Sequence, residues 1–141
     1  MKSFLNCVLR ISFLCLFLGT SQLVLSQSHR EAFTEKYRSS MQAAKLFSNE
    51  LIVSKESNVK AFGLSAKAYI LSREGNYEEA KQLFIQSFEE LDRMKNQSLS
   101  KQEKIYCLNY YVDYLLATHQ ITEATQYIQE GLQLSKEFEA F

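Results

Sequence analysis

Ala68-Tyr69-Ile70-Leu71-Ser72-Arg73-Glu74-Gly75-Asn76-Tyr77-Glu78-Glu79-Ala80-Lys81-Gln82-Leu83-Phe84 is the stretch that decides the fold. Apolar and small residues recur at spacings of three and four on both sides of Gly75-Asn76, which predicts a helix, a tight turn and a second helix. The pattern returns 44 residues later. Leu64 recurs as Leu108, Ala68 as Val112, Leu71 as Leu115 and Ala80 as Ala124. Leu83 then pairs with Tyr127, Phe84 with Ile128, Ser87 with Gly131, and Phe88 with Leu132. A helical hairpin that repeats is the mark of a solenoid, whose units bury their faces against one another.

Working outward, the chain has no proline and four glycines. No sustained alternation of period two and no Asn-Gly or Asp-Gly turn occurs, so strands are not expected. The reading is all-α, with five helices. The first spans about Arg30 to Val53, with Phe33, Tyr37, Met41, Ala44, Phe47 and Leu51 on one face; Arg38-Ser39-Ser40 is its weak point, although no glycine or proline forces a break there. A polar loop, Ser54 to Asn58, leads to a second helix over Val59 to Arg73. Asn76 suits an N-cap for the third, Tyr77 to Met94, with Glu79 three residues on. Lys95 to Leu99 reads as a loop, and Ser100-Lys101-Gln102-Glu103 as a capping box opening a fourth helix to about Thr118. His119-Gln120 is the second turn, and Ile121 to Phe138 the fifth helix.

The N-terminus has a different character. Lys2 and Arg10 precede the apolar run Ile11 to Leu18, followed by Gly19-Thr20-Ser21 and Val24-Leu25-Ser26. A basic start, a short apolar core and small residues describe a secretory signal over residues 1–26, cleaved after Ser26 or, as second choice, after Ser21. The alternative is an uncleaved membrane anchor, which the 15 residues from Ile11 to Leu25 are short to provide, since a spanning helix needs roughly 20. Export places the mature domain in the periplasm or outside the cell, with residues 27–58 as an N-terminal helix and loop and 59–141 as the two hairpins.

Removing residues 1–26 takes away two of 16 basic residues and none of the 16 acidic ones, leaving a formal charge of −2. A nucleic-acid surface needs a clustered basic excess, so no nucleic-acid partner is expected. Cys7 and Cys15 leave with the signal. Cys107 alone cannot form an internal disulfide, and its apolar helical setting reads as a buried small side chain rather than a redox thiol.

Residues 68 to 84 resemble the core of a tetratricopeptide repeat. That family shows a small residue in the first helix, a Gly-Asp/Asn-Tyr turn, and Ala then a large aromatic four residues on. Ala68, Gly75-Asn76-Tyr77, Ala80 and Phe84 stand at those places. The second copy keeps Ala124 and Ile128 but has Val112 for the small residue and His119-Gln120 for the turn. Neither copy has the closing proline; Asp92 occupies that place in the first. The resemblance covers about residues 60 to 136, with Ala43/Ala44 to Leu51 as the second half of an earlier degenerate repeat. It implies a short α-α solenoid of antiparallel hairpins, nested through Ala68, Ala80, Ser87, Ala124 and Gly131.

The resemblance also implies a groove for an extended peptide along the first helix of each hairpin. Carried over residue by residue, the groove would present Phe62, Ser65, Tyr69, Ser72 and Arg73, then Tyr106, Asn109, Asp113 and Leu116. Tyr110 and Tyr114 either extend this line or pack on the neighbouring hairpin, where Phe62, Ala66 and Ile70 lie. The Lys/Asn/Arg clamp that some family members close on a terminal carboxylate is not reproduced by Ser65 and Tyr69, and Asp113 would repel such a group.

No metal-ligand spacing, phosphate loop or nucleophile elbow occurs, and His29 and His119 are the only histidines. No catalytic residue, cofactor or metal is expected. Glu78-Glu79 and Glu89-Glu90 read as surface charge, the first pair complementing a helix N-terminus. Asn96-Gln97-Ser98 fits a glycosylation acceptor, a triplet that also arises by chance. At the other end, Leu132, Phe138 and Phe141 are expected to leave apolar surface uncovered. That suggests three readings: a piece of a longer array, self-association through this end, or a docking face for a partner.

The expectation is therefore an exported, non-enzymatic module for protein–protein contact, such as the N-terminal part of a longer extracytoplasmic sensor, whose mature domain does not touch the membrane. A helical carrier holding an apolar small molecule in a tyrosine-lined cavity is the alternative. Partner and pathway are not written in the sequence.

Overall fold

The computed structural model describes residues 29–139. The signal-like segment 1–26, with its cleavage sites, Cys7 and Cys15, lies outside the described residues, as does Phe141. Among the described residues the chain is all-α. A helix over residues 29–39 (α1) is followed by α2 (Met41–Ile52), α3 (Ser57–Arg73), α4 (Tyr77–Asp92), α5 (Gln97–Ala117) and α6 (Ile121–Glu139). The residues from Phe33 on form one compact unit. Within it α3 pairs with α4 and α5 with α6, while α3 and α4 both pack on α5 and α2 packs on α3.

The 44-residue offset holds hydrogen bond by hydrogen bond at the two tight turns. The Asn76 amide donates to the Leu71 carbonyl at 2.9 Å, and that of Gly75 to Ser72 at 3.2 Å. Forty-four residues on, Gln120 donates to Leu115 at 2.8 Å and His119 to Leu116 at 3.1 Å. Both are Schellman closures, which satisfy the last carbonyls of a helix by placing one residue in the left-handed region. Gly75 does so at φ 84°, where it has no Cβ to crowd; His119 does so at φ 61° with a full side chain.

Small side chains set the close approach of α3 and α4, as expected. Ala61, Ser65 and Ala68 face Ala80 and Ser87, and all five are fully buried. Burying a hydroxyl there requires a partner. Ser65 Oγ donates to Ser87 Oγ at 2.8 Å, and Ser87 Oγ donates to the Ala61 carbonyl at 2.7 Å. Cys107 is buried with its Sγ 3.6 Å from Ser87 Oγ, so it fills the core as a small side chain. Phe84, Tyr111, Tyr114, Leu71 and Leu115 complete the main cluster, and a second one gathers Phe33, Ala44, Leu51, Phe62, Ala66 and Ile70.

Four local expectations need correction. Asn76, although at the N-cap position of α4, makes no side-chain capping hydrogen bond. The first helix is broken at Ser40, whose extended backbone (φ −166°, ψ 128°) ends α1 and whose side chain accepts the Ala43 amide as the N-cap of α2. Capping energy, rather than a glycine or proline, makes this break. The fourth helix starts three residues before its supposed capping box, because Asn96 accepts the Leu99 amide at 3.1 Å. Ser100 and Glu103 are then inside the helix and buried, and Ser100 Oγ donates to the Leu91 carbonyl near the end of α4. Gly131 is not needed for packing: a Cβ there would come no closer than 3.9 Å to another side chain. The glycine that is needed is Gly63, where a Cβ would lie 2.6 Å from Leu51 Cβ and 2.9 Å from the Ile52 amide nitrogen.

Candidate functional site

The expected groove is partly filled by the chain itself. Phe33 of α1 is buried edge-on against Phe62, with ring centres 5.8 Å apart, and against Tyr110 of α5 at 6.0 Å. Tyr37, one helical turn on, reaches Tyr69 at 5.4 Å, and Tyr69 stacks on Tyr110 at 4.9 Å with ring planes 28° apart. Aromatic side chains of three helices thus close over one another. Such contacts add about 0.5–1.5 kcal/mol each beyond the area they bury.

The nine proposed groove residues consequently separate. Phe62 is buried beneath Phe33 and is not a surface for a partner. Ser65 is also removed, because it points at α4 and spends its proton on Ser87. Ser72, placed on the groove by the same reading, is buried and donates to the Tyr69 carbonyl. Tyr69 is half-buried; Arg73, Tyr106, Asn109, Asp113 and Leu116 are exposed. What remains open is a strip on α5, formed by Tyr106, Asn109 and Asp113, with Tyr69 and Arg73 on α3.

Electrostatics bring the two sides of this strip together. Burial, and then the neighbouring Tyr37 hydroxyl, push the Tyr69 phenol up to about 12, and Tyr69 also feels Arg73 and Asp113 with opposite sign. A cation, an anion, a phenol and an amide therefore line one strip, offering donors and acceptors of both kinds. No cluster of three or more His, Cys, Asp or Glu side chains that could hold a metal ion occurs among the described residues.

Tyrosine positions along α5 follow from helix geometry. Steps of four residues advance the side chain about 40° round the axis. Tyr106, Tyr110 and Tyr114 accordingly pass from exposed to half-buried to buried. Tyr114 packs on Phe84 at 5.5 Å, and burial pushes its phenol pKa up, with the Glu78 charge adding to it. Tyr111, which the sequence reading passed over, ties the seam between hairpins. It meets Phe84 at 5.1 Å, Phe88 at 5.4 Å and Tyr127 at 5.0 Å. Its hydroxyl lies 3.4 Å from Glu123 Oε1, and burial followed by that charge pushes its phenol pKa well above the usual range.

The tyrosines pack ring on ring. An open depression of about 400 Å³ lies elsewhere, at the α3–α4 turn, lined by Gly75, Asn76, Tyr77, Glu78 and Glu79. No helix among the described residues is long and apolar enough to cross a membrane. No family model, curated protein or solved structure matches the chain.

Proposed function

We propose that this chain is a non-enzymatic helical-hairpin module that binds an extended segment of a protein partner along the open strip of α5. The observation that carries the reading is the exposed row Tyr106, Asn109 and Asp113 facing Tyr69 and Arg73, above a floor of packed aromatic rings. A rigid floor with polar groups at helical spacing suits an extended backbone, because little side-chain freedom is lost on binding. The tetratricopeptide resemblance of residues 60 to 136 supports the same use of first-helix faces. Secretion directed by residues 1–26 belongs to this reading, as does a place at the N-terminal end of an extracytoplasmic sensor. The carrier alternative has less support, since the rings that would line its cavity fill the space themselves.

Selection of peptides from a random display library on the full chain tests it. Enriched peptides should lose at least tenfold in affinity on Tyr106→Ala or Asp113→Ala, both at exposed positions that leave the fold intact. Absence of enrichment, or binding indifferent to both substitutions, would refute the groove. Sequencing the N-terminus of the protein recovered from its host checks the export part: a start at Gln27 or Gln22 supports it, and a start at residue 1 or 2 contradicts it.

A further inference from the structure

The ring floor between α3 and α5 holds together without α1. Tyr69 stacks directly on Tyr110 at 4.9 Å and Phe62 reaches Tyr110 at 6.1 Å, so the two helices form this apolar seat through their own contacts. Residues 33–39 of α1 lie on it. Phe33 points its edge at Phe62 and Tyr110, Tyr37 follows four residues on against Tyr69, and the two rings stack on each other at 6.1 Å. An aromatic pair at this spacing occupies one side of a helix. Elsewhere on the same helix Glu35 and Arg38 are exposed. An amphipathic ligand helix sits in a groove in this manner, anchored by side chains one turn apart.

The joint that carries α1 is a single residue. Ser40 has an extended backbone, so α1 is not continuous with α2, and α2 keeps its own start because the Ser40 hydroxyl caps it at the Ala43 amide. α1 has only 11 residues, 29–39, and an isolated helix shorter than about 12–15 residues is marginal in water. Its order therefore depends on docking. Ala44, Leu51 and Ile70 share a cluster with Phe33, but α2 and α3 pack on each other directly, so that side of the core does not need α1 to stay closed.

We propose that this floor is a second binding seat, for a partner helix that presents two aromatic rings four residues apart, and that α1 is its built-in occupant, displaced by swinging out about Ser40. Phe33 and Tyr37 show the shape such a helix must match. The partner binds only the fraction of chains whose seat is empty, so its apparent affinity falls by that fraction while α1 is docked. α1 is thus an autoinhibitory contact. The seat lies beneath α1, apart from Tyr106, Asn109 and Asp113, so this assignment and the open-strip reading can fail separately.

The test titrates the full chain into a fluorescent synthetic peptide of residues 29–40 and follows anisotropy. Phe33→Ala with Tyr37→Ala vacates the seat and should bind the peptide about tenfold or more tightly than the parent. A peptide with alanine at both ring positions should bind neither. Should the double variant fail to fold by circular dichroism, Tyr37→Ala alone decides: Tyr37 is half-buried, its loss leaves Phe33 in the core, and the variant should still bind more tightly than the parent. In the unsubstituted chain, the amides of residues 37–39 should exchange hydrogen faster than those of Ala66 and Ile70 in α3. Equal binding by parent and variant, binding that ignores the peptide's rings, or equal protection of α1 and α3 would overturn the proposal. So would a parent dimer that the double variant does not form, because the seat would then belong to α1 of a second copy.

Discussion

The α3–α4 hairpin and the α5–α6 hairpin close with the same hydrogen bonds, yet they live in different surroundings. Phe84 is wholly buried, while Ile128, its counterpart, is 44% exposed. Ser87 is buried and hydrogen-bonded, whereas Gly131 has room to spare. The first hairpin has α2 against α3 and α5 against both of its helices. The second meets the first through α5, which Phe33 of α1 also touches at Tyr110, and no contact covers α6 on its outer side among the described residues. Equal local geometry with unequal cover implies that the turns come from the residues at the turn, while stability comes from stacking.

Truncating the two counterparts should expose this difference most clearly. Phe84→Ala empties a sealed site and is expected to cost about 3–5 kcal/mol in chemical denaturation. Ile128→Ala removes a half-solvated side chain and should cost about 1 kcal/mol or less. Comparable losses would mean that α6 is as well packed as α4.

Adding one methyl group at the glycines gives the next contrast. Gly63→Ala drives a Cβ onto Leu51 and the backbone of Ile52, and overpacking of this kind costs about 1–3 kcal/mol. Gly131→Ala meets nothing close and should gain roughly 0.5–1 kcal/mol from helix propensity. Thermal melting of both variants checks the opposite signs.

The turns offer a smaller effect. His119 holds a left-handed conformation that Gly75 holds without crowding. His119→Gly is expected to stabilise by about 1 kcal/mol and Gly75→Ala to destabilise by a similar amount. A stabilising Gly75→Ala would contradict the turn assignment.

Alkali should weaken the groove floor and the seam together, and this is the mildest perturbation. Below pH 10 folded and unfolded chains both keep the Tyr69 proton, so its burial carries no pH-dependent penalty. Above pH 10 the unfolded chain loses that proton first, and stability falls as pH rises toward the folded value of about 12. Tyr111 and Tyr114, also raised by burial, act in the same direction. Melting temperature should therefore drop between pH 10 and 12, less steeply in Tyr69→Phe. A flat profile would show the phenol to be solvated.

The hairpins and their offset were legible because Gly75-Asn76 and the recurrence of Leu64, Ala80 and Phe84 are local signals. Boundaries set by side-chain caps were harder to read. Ser40 and Asn96 set the starts of α2 and α5 because their oxygens accept from amides three residues on, whereas Ser100, the same residue type as Ser40, sits inside a helix. Gly63 gave no sign of its role, since its need arises from the backbone of α2. The candidate site was half legible. The resemblance to tetratricopeptide repeats suggested Tyr106, Asn109 and Asp113 as a groove face, but the burial of Phe62 and Ser65 depends on how α1 and α4 cross α3. Helix crossings are set by packing, and no pattern within a single helix encodes them.

Native-state amide hydrogen exchange, followed residue by residue at a concentration too low for self-association, puts the unequal hairpins to the most direct trial. The amides of Phe84, Ser87 and Leu91 in α4 should exchange only through near-global opening. Those of Ile128, Gly131 and Ser135 in α6 should exchange markedly faster, with the turn amides of Asn76 and Gln120 both protected. Equal protection along α4 and α6, or free exchange at Asn76 and Gln120, would contradict the account.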